Sequence, residues 1–305
     1  MTQPVQRRRL WRVIAAALGR AELERRDSGR AGLVERWQPP PLDLAYAARA
    51  VILVAEDNRT NQIVISHLLS KLGYAHEIAE NGREALAFLD RHTYGMLLTD
   101  FHMPEMDGFE LTRILRQAEA AEGLVRMPII ALTADALPGT GEQCLAVGMD
   151  GHLTKPIDSK ALIESLERLL PQAKALRQPA AGPAQSVPIP QIDPEILDLA
   201  QIVEAFGIWD AEARRFVNGF LADVPRQIAA IDAALGRADA AAARSAAHAL
   251  KGAARSSGAL RLGQIASDVQ DCLDRDDLQT AGVMAEFLTP THAELLEATA
   301  ALRAA

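Results

Sequence analysis

The sequence predicts an α/β fold, a doubly wound parallel five-stranded sheet, followed by a C-terminal all-α helical bundle. Three observations carry this. Short apolar runs alternate with helix-length segments between residues 51 and 170, a proline-rich stretch follows, and from residue 195 onward only helical periodicity remains. Strands alternating with helices imply a parallel sheet covered on both faces, because each parallel pairing needs a long crossover.

Val51–Ala55 is solidly apolar and reads as the first buried strand; Ala75–Ala79, Met96–Thr99, Pro128–Leu132 and Gly151–Thr154 read as the next four. Between and after them, Asn61–Leu72, Gly82–Arg91, Phe109–Glu119, Gly141–Val147 and Ser159–Leu170 have helical length. Five such units make a compact domain, residues 51–170, with its site at the carboxyl ends of the strands. Pro171, Pro179, Pro183, Pro188, Pro190 and Pro194 punctuate the next segment, so residues 171–194 are expected to be a semi-extended, mobile linker. In the final segment, residues 195–305, Phe216, Phe220, Val224, Ile228, Ile231 and Leu235 recur near a 3.6 period, and Pro225 inside that run allows a kink. Residues 238–257, 259–274 and 277–303 supply further amphipathic helices, for which an up-down bundle is the natural packing.

Residues 1–50 read as a helical remnant or linker. Thr2-Gln3-Pro4-Val5 matches Thr154-Lys155-Pro156-Ile157, and Leu10, Ile14 and Leu18 keep the spacing of Leu162, Leu166 and Leu170. The segment is therefore expected to be the tail of an upstream domain of the same α/β type, with Gln3 where Lys155 stands.

Composition excludes several classes. A hydrophobic fraction of 49% and a charged fraction of 24% are those of a soluble globular protein. No run approaches the roughly 18–20 apolar residues of a membrane span, and Val13–Leu18 is too short for a signal peptide. A net charge of −8 argues against generic nucleic-acid binding. The basic exception is residues 1–30, with eight Arg against three acids, read as a solvated helix face. Cys144 and Cys272 have neither metal-ligand nor disulfide spacing, which points to a reducing cytoplasm.

Chemistry concentrates in two places. Glu56 and Asp57 follow the first strand and Asp100 ends the third, so in a sheet of the usual order three carboxylates converge. Such crowded oxygens suit a hard divalent cation, Mg²⁺. Thr133 after the fourth strand offers a hydroxyl, and Lys155 after the fifth a positive charge, to phosphoryl oxygens during in-line transfer to an Asp100 nucleophile. The second place is His248, set among small residues in Arg244–Arg255. Lys251 and Arg255 lie one and two turns on along the same face, and Gly252 lowers helix propensity by about 1 kcal/mol, a cost consistent with close approach of a partner or of phosphoryl oxygens.

The acidic pair, Asp100, Met103-Pro104-Glu105-Met106-Asp107-Gly108, Thr133 and Lys155-Pro156 resemble, in order and spacing, the receiver domain of response regulators and hybrid histidine kinases. That resemblance implies Mg²⁺ held by Asp57, Asp100 and the His102 backbone carbonyl, with Glu56 acting through water. It places His152, three residues before Lys155, where the family carries its switch aromatic. His248-Ala249-Leu250-Lys251-Gly252-Ala253, continuing to Gly258-Ala259, resembles the histidine phosphotransfer (HPt) domain. It implies that His248 accepts the phosphoryl group, that Lys251 stabilises it and that Gly252 keeps the site open.

Together these resemblances imply a cytoplasmic two-component phosphorelay protein. Asp100 takes phosphate from a partner histidine kinase and His248 relays it to a further response-regulator receiver. The alternative is a phosphorylation-gated interaction module or phosphate sink. A haloacid-dehalogenase-like phosphatase is disfavoured because Glu56-Asp57-Asn58-Arg59-Thr60 lacks the paired Asp-x-Asp. An ATP-using kinase would need Asn- and Gly-rich boxes, and a transcription factor a helix-turn-helix domain; neither pattern is found.

Overall fold

The computed structural model describes residues 37–133, 140–180, 189–300 and 302. The expected N-terminal repeat lies outside them. In chain order the first part consists of β1 (Trp37–Gln38), α1 (Leu42–Ala47), β2 (Ile52–Ala55), α2 (Arg59–Lys71), β3 (His76–Ala79), α3 (Gly82–Leu89), β4 (Met96–Asp100) and α4 (Gly108–Glu122). It continues through β5 (Ile129–Thr133), α5 (Thr140–Val147), β6 (Gly151–Thr154), α6 (Ser159–Leu169), α7 (Pro171–Lys174) and β7 (Gln178–Pro179). β2 to β6 form one parallel sheet in the order β3-β2-β4-β5-β6, the doubly wound arrangement expected. Every residue of β2, β4 and β5 is buried, as central strands covered on both faces must be. The helices begin where the sequence provides caps: Asn58, Asn81, Asp107 and Asp158 each accept a backbone N–H of the first turn. Register brings Ala55 level with Thr99, Asp100 with Leu132 and Thr133 with Thr154, so the residues that follow these strands emerge at one edge.

Two flanking stretches differ from expectation. Residues 37–50 and 171–179 are packed against the sheet domain. β1 pairs with β7 antiparallel, and the Arg177 guanidinium lies over the Trp37 ring at 5.0 Å and the Tyr74 ring at 5.2 Å. Pro171 starts α7, where its missing N–H is not needed. Within α1, Ala45 is fully buried, and the Tyr46 and Tyr94 hydroxyls both donate to Glu77.

The second part contains α8 (Leu199–Phe206), α9 (Ala211–Gly236), α10 (Ala240–Ser256), α11 (Leu260–Leu273), α12 (Leu278–Ala285) and α13 (Leu288–Ala298). The single helix expected over 277–303 is broken at Glu286–Phe287. Pro290 explains the break: it has no N–H for the Glu286 carbonyl, and it is tolerated in the first turn of a new helix. One apolar cluster runs from the sheet through Ile65 and Leu68 of α2 to Ile202 of α8 and Leu250 of α10; a second, with Leu53, Leu97, Leu111 and Ile129, fills the opposite face of the sheet.

α9 continues through Pro225, which leaves the Leu221 carbonyl without its helical donor. The buried Nε2–H of His292 donates to that carbonyl at 3.2 Å. Replacing His292 with Leu should therefore cost about 1–3 kcal/mol, the penalty of an orphaned buried acceptor. Chemical denaturation checks this, and adding Pro225→Ala, which restores the donor, should recover part of the loss.

Candidate functional site

At the carboxyl edge of the sheet, Glu56, Asp57 and Asp100 each present a carboxylate oxygen, all within 4.8 Å of one another. The Lys155 backbone N–H donates to Thr133 O at 2.7 Å, which fixes where the lysine leaves β6. Its Nζ donates to Glu56 Oε2 at 2.5 Å and, at still closer range, to Asp100 Oδ2. Thr133 is buried at the end of β5, and Asp100 and Lys155 are buried beside it. Glu56 is fully engaged: Oε1 accepts from Asn61 Nδ2 at 2.9 Å and from the Asn58 N–H at 3.3 Å. Asp57, by contrast, keeps a solvent-exposed surface, although protein crowds its carboxylate.

The loop after Asp100 depends on its glycine. A Cβ at Gly108 would come within 2.2 Å of the Asp100 carbonyl oxygen, and Glu105 takes a left-handed φ of 64° to complete the turn. Asp107 then caps α4.

Charge crowding shifts these groups. Burial raises the Glu56 carboxyl well above the usual range; Lys155 opposes the shift and Asp100 adds to it. Asp57 is pushed up to about 6, first by the protein packed round it and then by the Asp100 charge. Burial alone would lower Lys155, but Asp100 and Glu56 outweigh it and hold the ammonium above its ordinary value. A carboxyl whose folded pKa lies above its unfolded one costs stability above the folded value and nothing below the unfolded value. Without divalent ions, Asp57→Asn should therefore stabilise the fold at pH 7 by about 1 kcal/mol after solvent screening, an advantage that fades between about pH 6 and 4. Thermal melts in a chelator across that range check it.

His248 sits on α10 directly against this edge. Its ring meets the His102 ring edge-on, with centroids 5.1 Å apart and planes at 87°. Asn58 serves two elements: Oδ1 caps α2, while Nδ2 donates to Ala249 O at 3.0 Å. A Cβ at Gly252 would lie 3.2 Å from Asn61 Nδ2, so the glycine lets α10 lie close to α2. His248 Nδ1 faces Gln270 Oε1 of α11 at 3.4 Å. Burial lowers the ring's pKa, opposed by Asp100 and reinforced by His102, Lys155 and Lys251, which favours the neutral imidazole.

The sequence-based set is thus brought together. Glu56, Asp57, Asp100, Thr133 and Lys155 share one crevice, with His102 and His248 at its mouth. One expectation is corrected: His248 is half-buried instead of open, its ring set against His102 and facing Gln270, while Lys251 on the same helix is 1% exposed. His152 is exposed beside Gly141. Sequence reasoning passed over Asn58, Asn61 and Gln270. Asn58 had an N-cap signal; Gln270 had none, because only the α10–α11 packing brings it to His248.

Residues 52–167 match the response regulator receiver domain, and residues 215–305 match the Hpt domain. Probable histidine kinase 1 of Oryza sativa subsp. indica is 33% identical over 151 residues, covering 40% of this chain and 16% of that protein. Hybrid signal transduction histidine kinase I of Dictyostelium discoideum is 43% identical over 118 residues, covering 37% of this chain and 7% of that protein. This chain therefore spans only a small part of either relative. Among solved structures, the receiver domain of sensor histidine kinase PA1611 from Pseudomonas aeruginosa PAO1, with a magnesium ion in its active site cleft, is 40% identical; it covers 39% of this chain and 96% of that one, with a TM-score of 0.36. Among the described residues no helix is long and apolar enough to cross a membrane.

Proposed function

Because the chain joins a response regulator receiver domain (residues 52–167) to an Hpt domain (residues 215–305), we propose that it is a two-component phosphorelay protein in which Asp100 passes a phosphoryl group to His248. The observation that carries this reading is the seating of His248 at the mouth of the Asp100 crevice, against His102 and beside the Asn58–Ala249 hydrogen bond. As a working division, residues 51–170 form the receiver and 195–305 the phosphotransfer domain, with 1–50 and 171–194 flanking them.

In this reading an Asp100 carboxylate oxygen attacks the phosphohistidine of a partner histidine kinase; the O–P bond of an acyl phosphate forms as the donor N–P bond breaks, and its electron pair leaves with the donor imidazole. The neutral His248 then attacks phosphorus through the Nε2 lone pair. The N–P bond forms as the Asp100 O–P bond breaks, the electron pair returns to the carboxylate, and the proton stays on Nδ1, turned toward Gln270 Oε1. Lys155 and Thr133 donate to the equatorial oxygens, and the Lys251 charge assists from within the bundle. The donor set fits Mg²⁺: Asp57, Asp100 and the His102 carbonyl would hold it, with Glu56, already bonded to Lys155 and Asn61, acting through water. When bound, the ion supplies positive charge to the phosphoryl oxygens. A downstream receiver collects the group from His248. The two buried free cysteines accord with a cytoplasmic location.

The test uses the full chain, Mg²⁺ and a phosphorylated histidine kinase. Label that is stable to alkali and labile to acid should accumulate on His248, whereas His248→Gln should hold only alkali-labile label on Asp100. Label that never leaves Asp100 in the native chain would mark a phosphate sink and sink the relay. Self-labelling from ATP alone would overturn the assignment as a transfer module without kinase activity.

A further inference from the structure

α8 lies outside both family-matched segments, yet it is packed on the receiver helix α2 and not only on the bundle. Its last carbonyls lack helical donors, and Lys71 Nζ donates to one of them, Glu204 O, at 2.6 Å. Gly207 closes α8 with a left-handed φ of 82°, and a Cβ there would lie 3.2 Å from Lys71 Cε. One turn back along α2, the His67 ring stacks on Phe206 with centroids 4.1 Å apart, and its Nε2 lies 3.4 Å from Glu212 Oε1.

These contacts sit at the far end of α2 from the chemistry. α2 has 13 residues, so Lys71 is roughly 20 Å along the helix from Asn58, which touches α10 beside His248. α8 therefore takes no part in moving the phosphoryl group. It is tied, through α2, to the segment that meets α10 beside His248.

We infer that α8, with its Gly207 cap, is an intrachain latch on α2 that, once Asp100 is charged, makes His248 of the same chain its preferred acceptor over the His248 of another copy. The inference rests on the relay reading. A latch of this kind gives specificity by proximity and by exclusion together.

The test sets the same chemical step in two settings. In cis, the full chain is charged at Asp100 with phosphoramidate and Mg²⁺, and label is followed to His248. In trans, a charged His248→Gln chain donates to an Asp100→Ala chain. His67→Ala/Lys71→Ala in every chain should slow the cis step and speed the trans step, each by about tenfold, through loss of the Lys71–Glu204 hydrogen bond and of the His67 contacts with Phe206 and Glu212. Amide hydrogen exchange over residues 61–71 and 199–206 should rise in the same variant, and Lys71→Arg, which keeps a donor for Glu204 O, should behave as native. Unchanged exchange, unchanged rates, or both rates falling together would overturn the latch. If Asp100 charges but nothing reaches His248 in the native chain in either setting, the relay reading fails, while the exchange measurement still decides whether α8 holds α2.

Discussion

With Asp100→Asn, the full chain is expected to take no label from a phosphorylated kinase, on residue 100 or on His248. The substitution is nearly isosteric and leaves an amide oxygen for Lys155, so the buried pocket keeps its shape. What goes is the nucleophile, since an amide oxygen forms no stable acyl phosphate under these conditions. Removing one of three crowded carboxylates should leave the fold as stable as native or about 1 kcal/mol more so, the familiar trade of stability for function at a charged site. Phosphate-affinity electrophoresis beside a thermal melt separates the two effects. A folded variant in which His248 still gains label would show that the kinase charges His248 directly, and the order Asp100 then His248 would be wrong.

The crevice on which that prediction rests is legible in the sequence, because local patterns specify it. A strand that ends in Asp100, a second that ends before Glu56-Asp57 and a third that ends at Thr133 must open on one edge once the sheet is parallel. Gly108 was legible as part of a motif, and its reason is now concrete: no Cβ fits against the Asp100 carbonyl. The break at Glu286–Phe287 was written in Pro290, but the unbroken apolar periodicity around it masked the signal.

What sequence could not supply is everything set by docking. Composition made residues 171–179 read as an extended linker, whereas Arg177 stacking on Trp37 and Tyr74 holds that stretch down, a contact between residues more than 100 positions apart. His248 read as an open helical site because its neighbours are small. Those same small residues let α2 approach α10, as the Gly252–Asn61 contact shows, and the ring is half-buried against His102. Gln270 reaches the ring only through tertiary packing, so no spacing rule could have selected it, and the N-cap signal of Asn58 gave no hint of its bond to Ala249.

Lys155→Met should have the largest combined effect, because one ammonium serves both stability and chemistry. Its Nζ lies between Glu56 and Asp100, each of the three almost wholly buried, so removal leaves two carboxylates facing each other without a counter-charge. Breaking a buried pair this way typically costs about 3–5 kcal/mol. Here the cost is capped, since burial already raises the Glu56 carboxyl and a proton can replace the lost ammonium. A loss of about 2 kcal/mol at pH 8 is expected in Mg²⁺-free buffer. The sign of the pH dependence follows from that replacement: carboxyls raised above their unfolded values cost stability at high pH, so the deficit against native should shrink as pH falls below about 7. Mg²⁺ should also narrow the gap by supplying the missing charge to the same oxygens. Transfer from Asp100 to His248 should nevertheless stay slower by about 10²–10³-fold at saturating Mg²⁺, the usual effect of deleting one preorganised charge at a developing anion. Denaturant titrations at pH 6 and pH 8, paired with single-turnover transfer rates, read both quantities. Equal destabilisation at the two pH values would show that Glu56 and Asp100 do not share the lysine's charge as the geometry implies.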